Sequence, residues 1–460
     1  MSMTRRGFLS HTCAAGASWA TAGTALGTLG AMRTASAQQA DDYRALVCIL
    51  LAGGNDAYNM LVPADATQHG EYAAIRSDLA LPRETLLPLS LPNTDARTFG
   101  LHPGMTRLAD LVNSGEAALV ANVGTLLEPF DPIAVQDGTA LLPVGLFSHA
   151  DQIAQWQTAT PDLRSAIGWG GRMADLMQGA NLANGVSMNV SLAGTNTFQS
   201  GRSTSEFSIT PEGDGAVTVN GYNDGTPFGD FRTSVTDALL ARPQSQLLRA
   251  EYVKRFREAI DANTTFSIAM QDAPTLQTVF SANGLSQALR QIARVIGVRH
   301  RLGATRQTFF ITVGGWDHHD EVLNNQARML PMVSDGLAEF RDALTELAVF
   351  DQVATFTISD FARTLTSNGR GSDHGWGGHH IVMGGGVNGG QMFGTYPILA
   401  QDSPLDVGRG IYAPTLSTDE YFADLAMWFG VRDSELPAVL PNVRRFVATG
   451  TGAPLGLFAG

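Results

Sequence analysis

Residues 307–320 read QTFFITVGGWDHHD, and residues 353–386 read VATFTISDFARTLTSNGRGSDHGWGGHHIVMGGG. Two apolar, β-branched runs, 308–313 and 353–358, each end in residues of the metal-ligand type. A third short run, 381–383, begins directly after a histidine cluster. Five of the ten histidines lie in this region (His318, His319, His374, His379 and His380), together with Asp317, Asp320, Asp360 and Asp373. Between the first two runs, 320–350 has helical periodicity, so strand–helix–strand alternation predicts a parallel βαβ unit. In open α/β sheets, ligands and catalytic groups gather beyond the carboxyl ends of the strands. The stretch therefore predicts an α/β fold with its site at that edge.

Upstream, 46–52 (LVCILLA) is a continuous apolar run, the signature of a strand buried on both faces. It stops at Gly53-Gly54-Asn55-Asp56, where glycines allow a tight turn and a close backbone approach. Asp56 is then either a strand-end ligand or a helix N-cap. A second strand is expected at 117–123, and an alternating one at 186–192. Ser148 precedes an amphipathic segment, 150–157, with Asp151 three residues on, a capping-box-like pattern. The same position suits a nucleophile, because the N–H groups and dipole of a helix N-terminus favour an anion. Residues 194–229, rich in Ser, Thr, Asn and Gly, read as a small β-rich insertion in a single domain spanning 38–460. Helices are expected over 105–114, 172–177, 247–261, 284–301 and 418–430.

Several classes are set aside. The formal charge of −13 argues against nucleic acid, which requires a basic face. The first 37 residues read as a twin-arginine signal peptide: Thr4-Arg5-Arg6-Gly7-Phe8-Leu9, an Ala/Gly-rich apolar stretch, then Ala35-Ser36-Ala37 as a cleavage site. The twin-arginine translocase exports folded proteins, so a periplasmic or secreted location is expected. Removing this segment takes away Arg5, Arg6 and Arg33 and no acidic residue, which lowers the charge from −13 to −16. It also removes Cys13 and leaves Cys48 alone, so neither an internal disulfide nor a cysteine-type zinc site is expected. No later segment holds 18 continuous apolar residues, so no stable membrane span is expected after cleavage. No G-x-S-x-G elbow and no G-x-x-x-x-G-K-[ST] loop accompanies the Asp/His residues. Asp and His at strand ends suit a divalent ion such as zinc, calcium or manganese. In a strand, Asp317 and His319 share a face while His318 points away.

The motifs GGND (53–56), FSHADQ (147–152), GGWDHH (314–319), SDFART (359–364) and DHGWGGHH (373–380) occur in order. This set resembles an exported bacterial family, domain of unknown function 1501, grouped with the alkaline phosphatase and sulfatase superfamily. The resemblance runs from about residue 44 to 450. It implies a three-layer α/β/α sandwich with a central, mostly parallel sheet, metal-binding Asp and His on strand-end loops, and a nucleophile at a helix N-terminus. Carried over motif by motif, it implies Asp56, Asp317, His319, Asp360, Asp373 and His374 as metal ligands and Ser148 as nucleophile. The implied activity is metal-dependent hydrolysis of a phosphate or sulfate ester, with a small-molecule or polymer-borne anionic ester as substrate. The other implication is an exported binding or assembly protein that keeps the fold without catalysis. Two departures stand out. Asp360 is followed by Phe361 where superfamily hydrolases carry histidine, and no Cys-x-Pro-x-Arg or Ser-x-Pro-x-Arg occurs, which sets aside a formylglycine sulfatase.

Overall fold

The computed structural model describes residues 43–459, apart from 95, 96, 183, 184 and 401; the expected signal peptide lies outside the described residues. The main sheet has nine strands: β1 (Arg44–Leu51), β2 (Ala117–Gly124), β3 (Asn189–Ser191), β4 (Phe207–Ser208), β5 (Arg306–Val313), β6 (Val353–Ser359), β7 (Gly378–Gly384), β8 (Met392–Gly394) and β9 (Leu416–Ser417). Their order is β8-β2-β7-β6-β1-β5-β3-β4, with β9 continuing alongside β2. β1 lies at the centre and pairs in parallel with β5 (Leu46 opposite Thr308) and with β6 (Leu46 opposite Ala354). Among the described strands of this sheet only β7 runs the other way, antiparallel to both β2 and β6.

The period-2 alternation of β1 divides the core into two layers. Ala45, Val47, Ile49 and Leu51 face a cluster built with helices Thr106–Asn113, Gly284–Gly297 and Val322–Glu346. Leu46, Cys48 and Leu50 face a second cluster built with helices Trp169–Leu176 and Thr418–Phe429. A mostly parallel sheet covered on both faces is the three-layer α/β/α sandwich expected, and it explains why the strands read as unbroken apolar runs.

The reversal of β7 has a direct consequence for the site. The amino end of an antiparallel strand lies at the same edge as the carboxyl ends of its neighbours. The Asp373–His374 loop therefore comes to the edge where β1, β5 and β6 end. His379 and His380, inside β7, point to opposite core layers. His379 stacks on Tyr396 at 4.5 Å and accepts the Asn122 N–H at 3.1 Å, while His380 packs against Trp156 at 4.7 Å. Burial pushes both down to about 3, so they are neutral core side chains.

Residues 194–229 hold β4, one isolated bridge between Ile209 and Ala216, and the start of a helix, Pro227–Leu240. That helix was not expected. Thr226 caps it by accepting the Gly229 N–H, and Pro227 sits in its first turn.

Candidate functional site

Three loops meet at the carboxyl edge, after β1, after β5 and between β6 and β7, and they meet closely. A Cβ on Gly53, whose φ is +121°, would lie 2.5 Å from the Asp317 backbone nitrogen, so only glycine fits there. The Gly53 N–H donates to both carboxylate oxygens of Asp360 at 3.1 Å. Arg363, from the SDFART motif, is fully buried and ties the loops together. Its guanidinium donates to the carbonyls of Gly53 (2.9 Å), Gly54 (3.0 Å), Ser372 (3.1 Å) and Trp316 (3.3 Å), and to Asp317 Oδ1.

Asp317 is the centre of a histidine cluster. The Nε2 atoms of His319, His374 and His149 lie 3.1, 3.5 and 3.5 Å from its carboxylate oxygens. Donor atoms of His149, Asp317 and His374 all lie within 4.8 Å of one another, a spacing that could hold a metal ion. His319 Nε2 is 3.0 Å from His374 Nε2, which places a third imidazole beside them. Each ring is anchored through its other nitrogen. His149 Nδ1 is 2.7 Å from Asp360 Oδ2, His319 Nδ1 is 3.3 Å from Asp373 Oδ1, and His374 Nδ1 donates to the Phe147 carbonyl at 2.8 Å. A carbonyl can only accept, so the His374 proton sits on Nδ1 and its Nε2 presents a lone pair. Histidine ligands are held this way in metal sites, the second nitrogen fixed by a carboxylate or carbonyl.

The charges fit that arrangement. Burial pushes the Asp317 carboxyl up, but the Arg363 hydrogen bond and charge, with His149 and His319 nearby, bring it below the usual carboxylate range. Burial lowers His374 and keeps it neutral. Asp360 is raised by burial, against the pull of the His149 and Gly53 hydrogen bonds. Asp373 is raised by burial but held below its ordinary value overall by Asn368, His319 and Arg409. The buried Nε2 of His149 has no hydrogen-bond partner in the protein. It faces Asp317 Oδ2 at 3.5 Å, and both belong to the cluster whose spacing could hold a metal ion.

Of the expected site residues, Asp317, His319 and His374 converge. Asp360 and Asp373 stand one layer back, each gripping a histidine. Asp56 is not in the group: it is fully buried, pairs with Arg76, and accepts the Ser372 hydroxyl at 2.9 Å. Ser148 caps helix His149–Thr158 by accepting the Asp151 N–H at 3.5 Å, a weak contact. Before it, Phe147 adopts φ 71°, a left-handed conformation rare for an aromatic residue. Phe361 forms an apolar wall, its ring 4.5 Å from His374 and 4.8 Å from His149. His318 is buried behind the cluster.

The reading from sequence missed His149 and Arg363. Where a histidine was expected directly after Asp360, His149 lies against that carboxylate instead, reaching it from a helix 211 residues earlier in the chain. Its only local signal was its place in the first turn of the helix that Ser148 caps. Arg363 carried no signal beyond lying three residues after a strand-end aspartate.

No curated protein matches the chain. Among solved structures it is similar to Ps i-CgsB in complex with k-i-k-neocarrahexaose (10% identity, 87% of this chain and 77% of that chain, TM-score 0.34). It is also similar to the soluble domain of lipooligosaccharide phosphoethanolamine transferase A from Neisseria meningitidis (10%, 87% and 93%, TM-score 0.32) and to BT1596, a 2-O GAG sulfatase (11%, 85% and 71%, TM-score 0.29). The family model for a protein of unknown function, DUF1501, matches residues 43–409, from the first residue before β1 to the Arg409 that pairs with Asp373, and the chain belongs to that family.

Proposed function

We propose that the chain is a divalent-metal-dependent hydrolase of phosphate or sulfate esters. The observation that carries this reading is the convergence of three Nδ1-anchored imidazoles on Asp317, with the His149 Nε2 buried and unpartnered. Three imidazoles and one carboxylate suit zinc or manganese; calcium prefers an all-oxygen shell, which this donor set lacks. An ion held there would supply positive charge against the non-bridging oxygens of an anionic ester.

The protein's own residues supply the rest. Asp360 and Asp373 orient His149 and His319 through their Nδ1 atoms. Arg363 fixes Asp317 from behind. Ser148 offers a hydroxyl at the start of a ten-residue helix, where unpaired N–H groups favour developing negative charge. Asp317 and His319 are about half exposed, so the site opens to solvent and admits either a small or a polymer-borne ester. The apolar ring of Phe361 excludes water from one side of His149 and His374. Export by the twin-arginine route is part of this proposal, and Arg5→Lys with Arg6→Lys should retain the protein in the cytoplasm on fractionation.

The test is metal content by mass spectrometry, followed by turnover of aryl phosphate and aryl sulfate with zinc or manganese added. Stoichiometric metal that is lost on His149→Ala, together with metal-dependent turnover, supports the proposal. Absence of both overturns it. One observation favours the alternative, a non-catalytic binding protein: the Arg363 guanidinium already neutralises Asp317 and lowers the net negative charge available to a cation. In that case neither metal nor turnover appears, and Ser148→Ala changes only stability.

A further inference from the structure

Helix Pro227–Leu240 is amphipathic in the inverted sense. On one side polar side chains hold it to the preceding loop and to the neighbouring helix Leu247–Met270: Thr233 accepts the Asn223 N–H at 2.8 Å, and Asp237 accepts the Tyr222 hydroxyl at 2.9 Å and an Arg257 N–H at 2.8 Å. On the other side, Phe228, Phe231, Val235 and Leu239 form a helical stripe that is 40–62% exposed. Beyond the polar connecting turn, 241–246, helix Leu247–Met270 opens with further exposed apolar side chains: Leu247 and Leu248 are 84% and 85% exposed and Tyr252 is 68% exposed. A folded protein rarely leaves so many large apolar side chains of one helical hairpin uncovered.

The charge around the strip indicates what covers it. Residues 227–258 carry six basic side chains against four acidic ones, within a chain whose formal charge is −13; Lys254, Arg255 and Arg257 pair with Glu258, Glu251 and Asp237, while Arg232, Arg242 and Arg249 form no salt bridge among the described residues. Arg242 and Arg249 flank the exposed leucines, and Arg232 lies over the Phe228 ring at 4.6 Å. Pairing of the strip with a second copy of itself would bring these basic groups face to face, which is repulsive. We infer that this helical hairpin docks the protein on the surface of an anionic lipid bilayer, with its phenylalanines and leucines at the headgroup–acyl boundary and its arginines on the headgroups.

The test is co-sedimentation with vesicles of phosphatidylglycerol and phosphatidylethanolamine, compared with vesicles of phosphatidylcholine. The full chain is run beside a variant carrying Phe228→Ser, Phe231→Ser, Leu247→Ser and Leu248→Ser, so that any contribution of residues 1–42 is common to both. All four positions are exposed, and an unchanged melting temperature verifies folding. Arg242→Gln with Arg249→Gln provides a second variant whose apolar strip is intact. Binding should prefer the anionic vesicles, weaken with salt, and fall about tenfold or more in the serine variant, with a smaller fall in the arginine variant. Equal sedimentation of wild type and both variants overturns the inference and leaves residues 1–42 as the membrane-active part. No vesicle binding, with self-association that the serine variant abolishes, overturns it in favour of a second copy.

Discussion

The role of Asp56 separates scaffold from site and can be tested through its partner. Arg76 is fully buried, and its guanidinium pairs with Asp56 Oδ2, donates to Asn59 Oδ1 at 3.0 Å, and reaches the carbonyls of Thr364 (2.9 Å) and Leu365 (3.3 Å). Burial opposes the Arg76 charge, but the Asp56 carboxylate outweighs it and holds the guanidinium protonated. Arg76→Met keeps most of the stem volume and strands the buried carboxylate with only the Ser372 hydroxyl. Removing one partner of a buried pair costs about 3–5 kcal/mol. Unfolding entropy of about 2.1 cal/mol/K per residue gives about 0.9 kcal/mol/K for the roughly 410 described residues, so about 4 kcal/mol lowers Tm by about 4–5 °C. Asp56→Asn combined with Arg76→Met should cost less than the sum of the single changes, with a coupling of about 2 kcal/mol or more. Bound metal should be unchanged in all three variants. The assays are thermal or denaturant unfolding and metal analysis on the same samples. Loss of metal from Asp56→Asn at unaltered stability would refute this reasoning and return Asp56 to the ligand set.

Three further outcomes follow from the site and the core. Asp360→Asn keeps the shape but weakens the hold on His149 Nδ1, and should lower metal affinity about 10–100-fold in a chelator competition; unchanged affinity would separate Asp360 from the site. Ser148→Ala should leave metal stoichiometry intact while His149→Ala removes the ion; hydrolysis that survives Ser148→Ala assigns the attack to water. Asp419 is fully buried, both carboxyl oxygens lack hydrogen-bond partners, and burial pushes it up to about 8 against the opposing charge of Arg172. Its folded value lies above its unfolded value, so its contribution to stability is fully present below about pH 4 and is lost as pH rises toward 8. Asp419→Asn removes that dependence, and its Tm relative to wild type should rise steadily between pH 5 and pH 8. A flat difference across that range would rule out the titration of Asp419 as the cause.

The sequence conveyed most of the fold for one physical reason. Strands of a mostly parallel sheet, covered on both faces, are apolar on both faces, and the runs at 46–52, 117–123, 308–313 and 353–358 all proved to be strands of the central sheet. The direction of β7 could not be read, because an apolar run is the same in either direction, yet that direction is what brings His374 to the site. Helix Pro227–Leu240 was legible in its cap, Thr226-Pro227, and in apolar positions 228, 231, 235 and 239, but the polar, glycine-rich stretch leading into it was read as an insertion running to 229. At the site, local sequence marked positions but not partners. Five histidines crowd residues 318–380, but β-strand alternation sends His379 and His380 into opposite core layers, and His318 turns away from Asp317 and His319. Asp56 looked like a ligand because every strand-end aspartate in such a fold does, and only the buried Arg76, on a helix 20 residues later, reveals its role. Phe361 stands where the resemblance led a histidine to be expected, and the imidazole found beside Asp360 comes from elsewhere in the chain. His149 lies against the Phe361 ring and bonds the neighbouring Asp360. The imidazole beside Asp360 therefore comes from a different element of the chain. Nothing along the sequence marks that meeting, and it becomes visible only when the three loops and the helix N-terminus are brought together.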